Sequence, residues 1–181
     1  MSVLVNKSTR VICQGVTSSN GAAWAALLCV ALAAPAFAQD ERPPYQLLEG
    51  IEACLMGAGA VDATSEILTA AGWTVEPQSE MGTVDFLPGV GADTFAFMSD
   101  TGEFCHVESM VMGTNEAAGM LELFLAENGL TVTATGTSDF LGCPTQTLSN
   151  GITVEITSAG NDPVCTADTT SGLRFDYPTG G

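Results

Sequence analysis

Residues Ala70 to Cys105, AAGWTVEPQSEMGTVDFLPGVGADTFAFMSDTGEFC, decide the reading of this chain, because a later stretch runs through the same features in the same order. Gly72-Trp73-Thr74-Val75, at the end of a helical pattern, is answered by Gly129-Leu130-Thr131-Val132. Asp85-Phe86-Leu87 beside Pro88-Gly89 is answered by Asp139-Phe140-Leu141 beside Gly142-Cys143-Pro144. The strand-like run Thr94 to Phe97 is answered by Thr153 to Ile156, and Cys105 by Cys165. The offsets are 57, 54, 59 and 60 residues, so order is kept while loop lengths drift. Kept order at a near-constant period is the mark of an internal repeat. The expectation is a degenerate tandem repeat of a helix-β-β-β unit, with half-repeats over 62–111 and 115–170.

Ahead of this lies an export signal over residues 1–38. Lys7 and Arg10 form a positive n-region, Ala22 to Ala34 a short apolar core, and Ala36-Phe37-Ala38 a small-x-small cleavage site before Gln39. The apolar run is shorter than the roughly 20 residues that a spanning helix needs, so no stable membrane anchor is expected after cleavage. The mature chain, residues 39–181, is expected to be one domain, exported to a bacterial periplasm or secreted beyond it. It keeps two basic residues, Arg42 and Arg174, against all 21 acidic ones, a formal charge of −19. Without a basic patch to neutralise phosphates, nucleic acid is not expected as a partner.

Cys54, Cys105, Cys143 and Cys165 form an even set in an oxidising compartment, which reads as two disulfides. Three pairings are possible. Cys54–Cys105 and Cys143–Cys165 are favoured because each joins elements expected to lie side by side, one bridge per half. Zinc is disfavoured by export and by the lack of any C-x-x-C spacing.

Periodicity fills in the elements. Asp40 to Pro44 reads as a flexible lead-in. Leu47, Leu48, Ile51, Cys54 and Leu55 make one helical stripe between Tyr45 and Met56. A second helix is expected to start on an Asp62 cap and run through Ala71, with Gly72 past its end. Strands are read at Trp73–Glu76, stopped by Pro77, and at Thr83–Leu87. Thr94–Met98 and Glu103–Val111 form a hairpin about Ser99-Asp100-Thr101-Gly102. A third helix, capped by Thr114 or Asn115, carries Ala117, Met120, Leu121, Phe124 and Leu125 inward and ends at Asn128 before Gly129. Strands follow at Leu130–Thr135, with one wet face, at Ile152–Thr157, at Val164–Ala167 and at Leu173–Tyr177. Runs of hairpins separated by helices indicate α+β, a two-layer fold with helices packed on one face of an antiparallel sheet.

The inventory of chemistry is short. His106, the only histidine, sits with Phe104 and Glu108 on the strand face opposite Cys105. A Glu–His pair at alternate positions orients a general base, and a plain polar face has the same pattern; the polar face is the reading taken. The mature chain has no lysine, no G-x-S-x-G turn and no phosphate-binding loop, so no cofactor and no metal are expected. The candidate binding residues are Phe86, Leu87, Phe140 and Leu141 of the two matching loops. Exposed, they form an apolar patch that marks a binding surface; buried, they plug the ends of the core, which is the reading favoured. The function expected is a non-enzymatic module for an unidentified protein or small ligand. The alternative is a small hydrolase using paired carboxylates, for which the sequence names no pair.

Overall fold

The computed structural model describes residues 42–139 and 141–178; the signal read over 1–38, and Phe140, lie outside these. Helices α1 (Arg42–Gly57) and α2 (Val61–Ala70) precede strands β1 (Thr74–Gln78), β2 (Thr83–Leu87), β3 (Thr94–Ser99) and β4 (Phe104–Ser109). Helix α3 (Thr114–Glu127) then precedes β5 (Val132–Thr137), β6 (Pro144–Leu148), β7 (Thr153–Thr157) and β8 (Ser171–Asp176). All eight strands of the described residues pair antiparallel in one sheet, ordered β1-β2-β3-β4-β8-β7-β6-β5. The chain thus lays down two meanders that meet at a central β4–β8 seam.

The fold is α+β, with the helices on one face of the sheet. Strand alternation explains why. In β4, Cys105 and Val107 point to the helices while Phe104, His106 and Glu108 point away; in β8, Leu173 and Phe175 point in while Arg174 and Asp176 point out. Helix α1 lies over β3 and β4, and α3 over β7 and β8, so the helical stripes and the inward strand residues bury one another. Leu47, Ile51, Val107, Phe86, Leu173 and Phe175 are completely buried there. Burial of side chains this size stabilises by about 2 kcal/mol each.

Both disulfides join the partners expected. Cys54 of α1 is bonded to Cys105 of β4, with Cα atoms 5.6 Å apart, and ties the helical layer to the sheet. Cys143 is bonded to Cys165, at 5.2 Å, and ties the β5–β6 loop to the β7–β8 loop. Next to the first bridge the buried Tyr177 hydroxyl donates to the Cys54 carbonyl at 2.7 Å.

Several local expectations are corrected. Arg42 to Pro44, expected in a flexible lead-in, belong to α1; proline fits a first helical turn because no intrahelical partner awaits its N–H. Asp62 is not the cap of α2: Ala60 stands there without a side-chain bond, and Asp62 lies within the first turn. Gly113 caps α3, its N–H donating to Glu116 at 3.2 Å, while the Thr114 hydroxyl is engaged with the Ala167 backbone. Pro77 does not stop β1, because β1 is an edge strand on which a missing N–H costs no ladder bond. Strand β5 is the other edge and is exposed along its whole length, on both faces rather than one. Pro144–Leu148 is a strand that the pattern did not announce, and Val164–Ala167 is not one.

The matching motifs fall unevenly on this topology. Gly72–Val75 and Gly129–Val132 both lead into the outermost strand of their meander, and Thr94–Phe97 and Thr153–Ile156 both form the third. Asp85–Leu87 lies in β2, however, whereas Asp139 lies in a turn before β6; Cys105 lies in β4, whereas Cys165 precedes β8.

Candidate functional site

The face of the sheet turned away from the helices carries a cleft of about 750 Å³. Its floor is one continuous row of paired residues. Asp85, Phe97, His106, Arg174, Glu155 and Thr145 are successive Cα partners across β2, β3, β4, β8, β7 and β6. Those from Phe97 to Thr145 line the cleft. Its walls come from two loops, one contributing Ser138, Asp139 and Leu141, the other Gly160, Asn161 and Pro163. The Cys143–Cys165 disulfide joins these same two loops, so it fixes the separation of the walls.

His106 is where the alternation of β4 puts it, on the face opposite Cys105, yet its side chain is only 14% exposed. Its Nε2 lies 3.1 Å from Oε1 of Glu108, and its ring centroid is 5.0 Å from that of Phe97. The other Glu108 oxygen accepts from the Gly160 N–H at 3.3 Å, which holds the β7–β8 loop against the sheet. Space for the imidazole is made by Gly172 on β8. A Cβ there would stand 2.9 Å from Nε2, and the backbone at Gly172 is not left-handed, so room and not conformational freedom requires the glycine.

Arg174 is directed elsewhere. Its guanidinium carbon lies 4.0 Å over the centroid of the Phe104 ring, and its Nε donates to Oδ1 of Asp176 at 2.9 Å. Glu155, beside it in register, is 7% exposed and accepts at Oε1 from the Ser138 hydroxyl at 2.5 Å. Ser138 in turn shapes the loop: its hydroxyl accepts from the Leu141 N–H, its N–H donates to the Cys143 carbonyl, and its carbonyl accepts from Gly142. Alternation along Thr153–Thr157 and Leu173–Tyr177 places Glu155, Arg174 and Asp176 on one face, and that was readable. What was not readable is that this face meets the face of His106.

Three of the four candidate binding residues lie among the described residues. Phe86 is completely buried in the core, Leu87 is 37% exposed at the end of β2, and Leu141 is half-buried in the cleft wall. Phe140 lies outside the described residues. Among the described residues no group of His, Cys, Asp and Glu has the arrangement of a metal site, and no helix is long and apolar enough to cross a membrane. Compared with known proteins, the chain matches no family model, no curated protein and no solved structure.

Proposed function

We propose that this chain is an exported binding module and that its ligand is a small molecule held in the cleft on the uncovered sheet face. The observation that carries this reading is the cleft itself: its volume falls in the range of small-ligand sites, and one disulfide fixes the spacing of its two walls. The lining sets Phe97, Leu141 and Pro163 among a majority of polar and charged side chains, a composition that suits a polar small ligand. Export is supported by the signal pattern over residues 1–38 and by the two disulfides.

Glu108 and Glu155 lining one cleft also favour a second reading, a hydrolase with paired carboxylates. It is the weaker one, because each oxygen of Glu108 already has a protein partner, His106 or Gly160, which ties this carboxylate to the wall of the cleft.

Saturation-transfer NMR with a fragment library tests the cleft. Fragments bind the wild-type protein, and Thr153→Trp, which fills the floor, removes their signals. Binding unchanged in Thr153→Trp, or no fragment binding at all, rejects the reading.

A further inference from the structure

Four carboxylates line the cleft, Glu108, Asp139, Glu155 and Asp176, against one guanidinium, that of Arg174. The guanidinium does not balance them. It is bonded to Asp176 through Nε and stacked on Phe104. Glu155 is more than nine-tenths buried, yet among the described residues it forms no ion pair. One of its oxygens accepts from Ser138, and the other has no hydrogen-bond partner among the described residues. A deeply set carboxylate with no counter-charge bonded to it favours a cation supplied from outside. Phe97 lines the same cleft, its ring packed against Phe95, Phe104 and His106, and supplies apolar surface for a hydrocarbon chain.

We propose that the cleft selects a small organic cation, an aliphatic amine or diamine, with its ammonium group on Glu155 and its carbon chain against Phe97. The inference rests on the reading of the cleft as a small-ligand site and adds the chemical class. Four carboxylates against one guanidinium, itself already bonded to Asp176 through Nε, make the floor unfavourable to an anionic ligand. The threonines and Asn161 of the lining supply hydrogen bonds to the remaining polar groups.

Isothermal titration of the purified protein at low ionic strength separates the classes, with putrescine, the uncharged four-carbon diol and succinate as probes. Putrescine binds, added salt weakens it, and the diol and succinate do not bind. Glu155→Gln weakens putrescine about thirtyfold, the loss expected when one partner of a desolvated charge pair is removed. Arg174→Gln, which removes the positive group from the floor, tightens it, and Thr153→Trp abolishes it. Should Glu155→Gln fail to fold, the opposite effects of Arg174→Gln and Thr153→Trp still decide the matter. Diol or succinate binding as well as putrescine, and lost in Thr153→Trp, rejects the cationic class while the cleft stands. Putrescine binding that survives Thr153→Trp, or no putrescine binding, rejects the proposal.

Discussion

His106 and Arg174 face each other as Cα partners across the central seam, yet each reaches away from the other to a carboxylate two residues further along its own strand. Because β4 and β8 are antiparallel, the His106–Glu108 and Arg174–Asp176 pairs point in opposite directions about the seam. The space between them is the middle of the cleft floor. Two side chains that would repel when both are charged are thereby kept apart by their own partners.

Gly172 is predicted to be as necessary to this arrangement as the charged residues. Gly172→Ala drives a methyl group into the imidazole, and overpacking of this kind costs about 1 to 3 kcal/mol. In a His106→Ala background the same substitution is expected to cost much less. Urea unfolding of the four proteins of this cycle measures the difference, and equal costs in both backgrounds reject the contact as the cause.

The two disulfides are predicted to separate stability from binding. On the chain-entropy model, removing Cys54–Cys105 by a double serine substitution costs about 4 kcal/mol, and removing Cys143–Cys165 about 3 kcal/mol, through the sizes of their loops. Only the second releases the walls of the cleft, so only it weakens ligand binding under conditions where both variants are folded. Calorimetry beside denaturant unfolding reads the two effects, and a non-reducing peptide map of the wild-type protein checks the pairing.

Tyr177 gives a pH dependence. Burial, opposed by a backbone hydrogen bond at Gly59 and reinforced by the charge of Asp176, raises its phenol well above the ordinary tyrosine value of 10.0. The unfolded chain therefore ionises first. The contribution of Tyr177 to stability is whole below the unfolded value and is lost as pH rises from there toward the folded value. Tyr177→Phe removes the bond to the Cys54 carbonyl, at about 1 to 2 kcal/mol at neutral pH, and flattens the alkaline decline. Unfolding curves between neutral and alkaline pH follow both changes; a decline of equal steepness in the variant assigns it elsewhere.

The Arg174–Asp176 pair is predicted to matter little to stability. Both side chains are two-fifths exposed or more, so water and salt screen the attraction. Arg174→Gln is expected to shift unfolding by less than about 1 kcal/mol. A larger loss would mean that the stacking on Phe104, rather than the ion pair, is the stronger contact.

Legibility in the sequence followed the physics of each element. The stripe of α1, the inward pattern of β4 and the Ser99–Gly102 turn are local, and they placed Cys54 against Cys105 correctly. Strand β6 was invisible because its helix-facing positions are Pro144, Gln146 and Leu148, of which one alone is a buried apolar residue. The edges misled for the complementary reason: tolerance of Pro77 and exposure of β5 depend on having no neighbour, a property of the assembled sheet. Gly172 looked like any glycine in a strand, since the side chain that requires it stands sixty-six residues earlier in the chain. His106 and Glu108 stand two residues apart on one strand face, but Glu155, Arg174 and Asp176 join them only through the β4–β8 and β7–β8 pairings.

That pairing also governs the order of assembly. The strand that follows the other seven in sequence lies at the centre of the sheet, between β4 and β7. As the chain emerges, the first meander can close its three hairpins while the β4 edge stays open, and β5, β6 and β7 can close their two while the β7 edge waits. Neither has a floor on which a ligand could rest until residues 171–176 arrive and join them. A chain that stops short of residues 171–176 therefore has two half-floors and no cleft.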